Sequence, residues 1–124
     1  MRRAIRLATC AALALGLAVG PAAAQQASQG RGAELRVLDK VTGIVTDVQL
    51  ASGAAEPVGH LTLRLNECRY PADNPSGDAF AELTITYQGE PVPVFAGWMI
   101  ASAPALNAME HPRYDVWVLR CSTS

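Results

Sequence analysis

Histidine occurs only twice in the 124 residues and cysteine three times, and none of the five stands in a recognised ligand or redox spacing. His60 and His111 are each alone in their segment, which removes the usual zinc patterns. No C-x-x-C is present, which argues against a redox pair, and no G-x-S-x-G marks a hydrolase nucleophile. Beyond the first 24 residues no apolar run approaches the roughly 20 residues that a membrane-spanning helix needs. Basic clusters are also missing, which argues against nucleic acid or an anionic lipid surface as partner.

What is present begins with an export signal. Arg2, Arg3 and Arg6 form its positive region, Leu7 to Val19 its apolar region, and Ala22-Ala23-Ala24 an A-x-A cleavage site, so that cleavage is expected between Ala24 and Gln25. Cys10 then leaves with the discarded peptide. Three of the ten basic residues leave with it too, so seven remain against eleven acidic ones. About 100 residues are left, one domain with a core of modest size. In the oxidising periplasm the two remaining cysteines, Cys68 and Cys121, are expected to form a disulfide that holds such a core together.

Gln25 to Gly32, "QQASQGRG", is polar with two glycines and reads as a flexible leader, with structure expected from Ala33 to the end. "AELRVLDK" and "TGIVTDVQL" give two strands, the second setting Ile44, Thr46, Val48 and Leu50 on one side. "HLTLRLNEC" alternates more strictly, with Leu61, Leu63 and Leu65 inward. Cys68 falls on the outward parity, so a bulge near Asn66-Glu67 or the strand's end must turn it. "AFAELTITY" is a further strand, and "QGEP" after it a hairpin turn. "VPVFAGWMIA" is apolar at both parities and reads as a central strand covered on both faces. "PALNAME" predicts a helix of one or two turns stopped by Pro112, and "YDVWVLRC" a last strand. The expected fold is all-β: a small antiparallel sandwich or barrel of about six strands with one short helix, closed by the disulfide.

"EHPRYD" invites a catalytic reading, with His111 as general base, Glu110 or Asp115 to orient it, and Ser102 or Ser76 as nucleophile. No spacing supports it, and the preferred reading is a latch: Pro112 stops the helix, His111 and Arg113 bond nearby carbonyls, and Tyr114 anchors the last strand. "DNPSGD" offers Asp73, Asn74 and Asp78 to calcium, but Pro75 and Gly77 occupy ligand positions of the D-x-[DN]-x-[DN]-G pattern. An Asx-rich loop is preferred. Trp98 and Trp117 read as core aromatics, or, if exposed on one face, as a sugar-stacking platform. Tyr70, Asp73, Asn74, Asp78 and Arg113 are the candidate binding residues, provided that "RYPADNPSGD" and "HPRY" lie at one end of the sheet. No catalytic residue, metal site or cofactor is assigned.

At "LDKVTGIVTDVQL", "ECRYPADNPSGDAFAELTI" and "FAGWMIASAPALNAMEHPRYDVWVLRC" the chain resembles a family of exported, mainly alphaproteobacterial proteins catalogued as domain of unknown function 2155. The resemblance runs from Ala33 to Cys121, implies an envelope location, and carries over no catalytic residue. The expected function is a non-catalytic module of the periplasm that binds an envelope protein. A glycan-binding or peptidoglycan-binding module is the alternative, and a small hydrolase using His111 the weakest reading.

Overall fold

The computed structural model describes residues 26–123; the export signal and its cleavage point at Ala24 and Gln25 lie outside them. Among the described residues the elements are β1 (Ala27–Gln29), β2 (Gly32–Asp39), β3 (Val45–Ala51), β4 (Ala55–Val58), β5 (Leu61–Pro71), β6 (Phe80–Tyr87), β7 (Phe95–Ile100) and β8 (Tyr114–Ser122). A 3-10 turn at Pro104–Asn107 stands where a helix of one or two turns is expected. All pairings are antiparallel, in two sheets. One sheet has the order β1-β5-β6-β7 with β4 also on β5; the other is β3-β2-β8. That makes the fold a sandwich rather than a barrel.

The strict alternation of β5 and β6 is what places the core. Leu61, Leu63 and Leu65 from β5 and Ala81, Leu83 and Ile85 from β6 are fully buried, facing Leu35 and Val37 of β2 and Val116 and Val118 of β8. Each of these leucine, isoleucine and valine side chains contributes about 1.5–3 kcal/mol on burial. In β3 the alternation is only half used: Val48 and Leu50 are buried, whereas Thr46 on the same parity, and Ile44 just before the strand, stay exposed. The two sheets have diverged at that end.

Cys68 and Cys121 are bonded to each other, with Cα atoms 5.7 Å apart, and so tie β5 of one sheet to β8 of the other. Both needed a parity change. The β5–β6 register skips Asn66, passing from Leu65 opposite Leu83 to Glu67 opposite Glu82, and this bulge turns Cys68 inward against its sequence parity. The β2–β8 register skips Leu119 in the same way, between Val118 and Arg120, and turns Cys121 inward.

Three expectations change. Residues 27–29, placed in a flexible leader, form β1 on β5, and Gly30 N–H donates to Cys68 O (2.7 Å) while Arg31 N–H donates to Ser122 O (2.8 Å). Backbone bonding orders this polar stretch, which has no side-chain pattern to announce it. β7 is an edge strand, not a central one. Phe95 and Met99 enter the core, but Ala96, Trp98 and Ile100 lie on the outer face, which no further layer covers. Neither tryptophan is buried: Trp98 sits on that outer face, and Trp117, paired in register with Arg36, on the outer face of the other sheet.

Candidate functional site

The sandwich has two loop ends, and the candidate binding residues are divided between them. β8 runs from Tyr114 to the disulfide, and β5 runs in the same sense from Leu61 to Cys68 and on to Tyr70. Arg113 therefore stands at the end opposite to Tyr70, Asp73, Asn74 and Asp78. The condition on which these five were grouped fails, because a full strand separates the two loops.

At the disulfide end, Tyr70 is half-buried and packs on the core, and Asp73 and Asn74 are exposed on the loop. Asp78 closes that loop. It accepts hydrogen bonds from Ala79 N–H (2.8 Å), Ser102 N–H (3.0 Å) and the Ser102 hydroxyl (2.7 Å). Burial works against its charge, but these donors outweigh it and hold the carboxyl below its ordinary range. The loop is thereby fastened to the end of β7.

The opposite end is built on the β8 entrance. Tyr114 is buried, and its hydroxyl accepts from His60 N–H (3.1 Å). The Tyr87 ring stands between the two histidines, 4.7 Å from His111 and 6.2 Å from His60 by ring centroids. His111 Nδ1 accepts from the backbone N–H of Arg113 (3.0 Å) and of Tyr114 (3.2 Å). The Nδ1 lone pair of His111 is thereby engaged by two backbone amides. Asp115 pairs with Lys40 (3.4 Å), and Lys40 also donates to His111 O (2.7 Å). Ser76 and Ser102 lie at the disulfide end. The latch reading needs one correction: His111 bonds amides rather than carbonyls, and Arg113 bonds the Asp39 carboxylate (3.0 Å). That guanidinium, assisted by the amides of Val41 and Thr42, lowers the Asp39 carboxyl to about 2.

Beside this latch lie residues that the sequence reading passed over. Val41, Ile44 and Val45 on the β2–β3 hairpin are 72%, 62% and 55% exposed, and Val92 on the β6–β7 loop is 74% exposed. Both connections sit at the latch end. An apolar residue inside the turn signal "DKVTG" was the available clue. A second apolar surface lies on the outer face of the larger sheet, where Trp98, Phe80, Ile100 and Ala27 surround the Arg69 guanidinium, 5.3 Å above the Trp98 ring. Among the described residues no three His, Cys, Asp or Glu side chains converge as metal ligands, and no helix is long and apolar enough to cross a membrane.

Residues 33–121 match the family described as "Uncharacterized protein conserved in bacteria (DUF2155)", and the chain belongs to that family. A relative from Rickettsia prowazekii (strain Madrid E), "Uncharacterized protein RP359", is 29% identical over 87 residues, covering 68% of this chain and 56% of the relative. The chain thus spans little more than half the length of that curated relative. No solved structure matches it.

Proposed function

We propose that this family member is an exported, non-catalytic envelope module that binds a protein partner through the latch end of the sandwich. The observation that carries this reading is the presence of four exposed aliphatic side chains at the latch end, Val41, Ile44 and Val45 on one connection and Val92 on another. Single exposed apolar residues need no explanation, but several at one end of a sandwich are what a contact surface would use. The base of the hairpin is tied to the β8 entrance by the Asp39–Arg113 and Lys40–Asp115 pairs, with Tyr114 buried beside it. The inter-sheet disulfide supports an oxidising compartment. Photoreactive residues placed at Val41 and Val92 in living cells should each yield a discrete protein adduct, whereas one at Asp73 should not. Adducts from Asp73 alone would move the contact to the other end, and none from any position would end the partner reading.

A second reading rests on a separate observation, the half-exposed Trp98 ring with Arg69 above it and an apolar surround. An aromatic ring with a guanidinium donor beside it suits a sugar ring, so this face is the platform for a glycan such as peptidoglycan under the alternative, with Arg69 moving aside from the Trp98 face. Soluble peptidoglycan fragments should then change Trp98 fluorescence in a Trp117→Phe background. An unchanged spectrum at saturating fragment leaves the face without that role.

A further inference from the structure

Between β3, at the edge of the smaller sheet, and β4, at the edge of the larger, runs a groove of about 450 Å³ lined by residues 46–49 and 56–59. Toward the latch it continues into a hollow of about 170 Å³ whose walls include Val37, Ile44, Val58 and Tyr114. We propose that this groove takes an extended peptide segment of the partner protein, which adds to β3 as a fourth strand of the smaller sheet. The inference rests on the partner-binding reading and specifies how the partner is held.

The backbone of β3 decides what kind of ligand fits. Asp39 N–H donates to Ile44 O and Ser52 N–H to Arg31 O, both 2.9 Å, and these pairs share the register that matches Leu38 with Val45 and Gly32 with Ala51. Even-numbered residues of β3 therefore bond β2. The N–H and C=O groups of Val45, Asp47 and Gln49 point the other way, toward the groove, and no backbone group among the described residues bonds them. Such a row of donors and acceptors at strand spacing is complementary to another extended backbone.

Comparison of the two groove walls sharpens this. β4 is four residues long and contains Pro57, which has no N–H to offer. β3 is seven residues long, has no proline or lysine, and keeps its register with β2 without a shift. Proline, lysine and a bulge are devices that normally blunt an edge strand, and β3 has none of the three; its one charge, Asp47, is paired with Arg36. β7, the edge strand at the far side of the larger sheet, is partly covered, since Asn107 Nδ2 donates to Trp98 O (2.8 Å).

Side chains of the added strand would alternate between solvent and the hollow, so apolar residues at alternate positions are favoured. Glu56 lines the groove with no ion-pair partner among the described residues, while Asp47 is engaged by Arg36 (2.8 Å). A basic residue in the peptide matches that uncompensated carboxylate. A second copy of this chain fits less well: two β3 strands paired antiparallel about Asp47 would set that carboxylate opposite its twin, an unfavourable cross-strand pair.

The test uses the disulfide-bonded mature protein, labelled with ¹⁵N, and a peptide of about nine residues alternating valine with lysine and threonine. Binding should slow hydrogen exchange at the amides of Val45, Asp47 and Gln49 and leave Thr46, Val48 and Leu50, already bonded to β2, unchanged. Val45→Pro deletes one groove-facing donor at the first residue of the strand, where proline is tolerated, and should weaken binding about fivefold. Thr46→Lys, which sets a charge in the groove without touching the backbone, should weaken it as well and serves if the proline variant does not fold. The proposal is overturned by binding that leaves those three amides fast, by no binding at about 1 mM peptide, or by protection that appears with protein concentration alone, which would make a second copy the occupant. Adducts from Val41 and Val92 that survive Val45→Pro and Thr46→Lys would keep the partner reading and remove the added strand.

Discussion

Reduction of the Cys68–Cys121 bond measures how much of this sandwich depends on its one covalent link between sheets. The two cysteines are 53 residues apart in sequence. In the chain-entropy treatment, opening a loop of that length returns about 4 kcal/mol of conformational freedom to the unfolded chain. A domain of this size has a total stability of only about 5–15 kcal/mol, so the reduced form should sit close to its unfolding threshold. The corresponding fall in Tm is about 15–30 °C. Both cysteines are buried on the core side, and reduction leaves their side chains in place, so the change isolates the crosslink from the packing. Urea unfolding of oxidised and reduced protein, with thiol labelling to confirm each state, gives the difference directly. A loss below about 1 kcal/mol would mean that the sheets hold together without the link and that the loop argument misjudges the unfolded chain. Two reactive thiols in denatured, exported protein would remove the premise itself.

The acid limb of stability should report the Asp39–Arg113 pair. Asp39 titrates at about 2 in the fold and near about 3.9 unfolded, and a depressed carboxylate contributes stability above the unfolded value that is lost as pH falls toward the folded one. Stability should therefore decline from about pH 4 to about pH 2, and Asp39→Asn should reduce that slope; Asp47 and Asp78, also held low, keep it from vanishing. An unchanged slope would show that the pair does not form in solution. Gly59 has φ +58°, and a Cβ there would lie 2.6 Å from the Tyr114 hydroxyl, so Gly59→Ala should cost about 1–3 kcal/mol by thermal melting. Gly43→Ala, with φ +76° and open space around it, isolates the backbone part of that cost; equal losses would clear Tyr114 of any clash. Deleting Asn66 should leave the disulfide intact, because Leu65, Glu67 and Cys68 would then alternate without interruption, at the loss of the 3.1 Å Asn66–Thr84 bond, about 1 kcal/mol. Inserting one alanine before Cys68 should instead turn it outward and expose two thiols to labelling.

The legible parts of this fold are those where one face of a strand meets the core. Leu61, Leu63 and Leu65 and their neighbours Ala81, Leu83 and Ile85 could be placed from alternation alone. Alternation also exposed the conflict at Cys68 that the Asn66 bulge resolves. The position of β7 was hidden because its apolar residues have two separate causes: Phe95 and Met99 fill the core, while Trp98 and Ile100 belong to a surface patch. A strand apolar on both sides reads the same whether its second face is covered or displayed. β1 was hidden for a different reason, since its order comes from backbone bonds that polar side chains do not advertise.

The division of the candidate binding residues could have been read from the chain. Arg113 precedes Cys121 by eight residues, nearly all of them in β8, and at about 3.3 Å per residue that is about 26 Å. Tyr70 follows Cys68 by two. Once the two cysteines are bonded, Tyr70 is held near the bridge and Arg113 is carried to the far end of an extended strand. A disulfide expected from composition and a strand expected from alternation thus together exclude the single loop cluster that either one alone allows. Under the partner-binding proposal, the surface to search is then the latch end alone, with its hairpin valines and the open edge of β3.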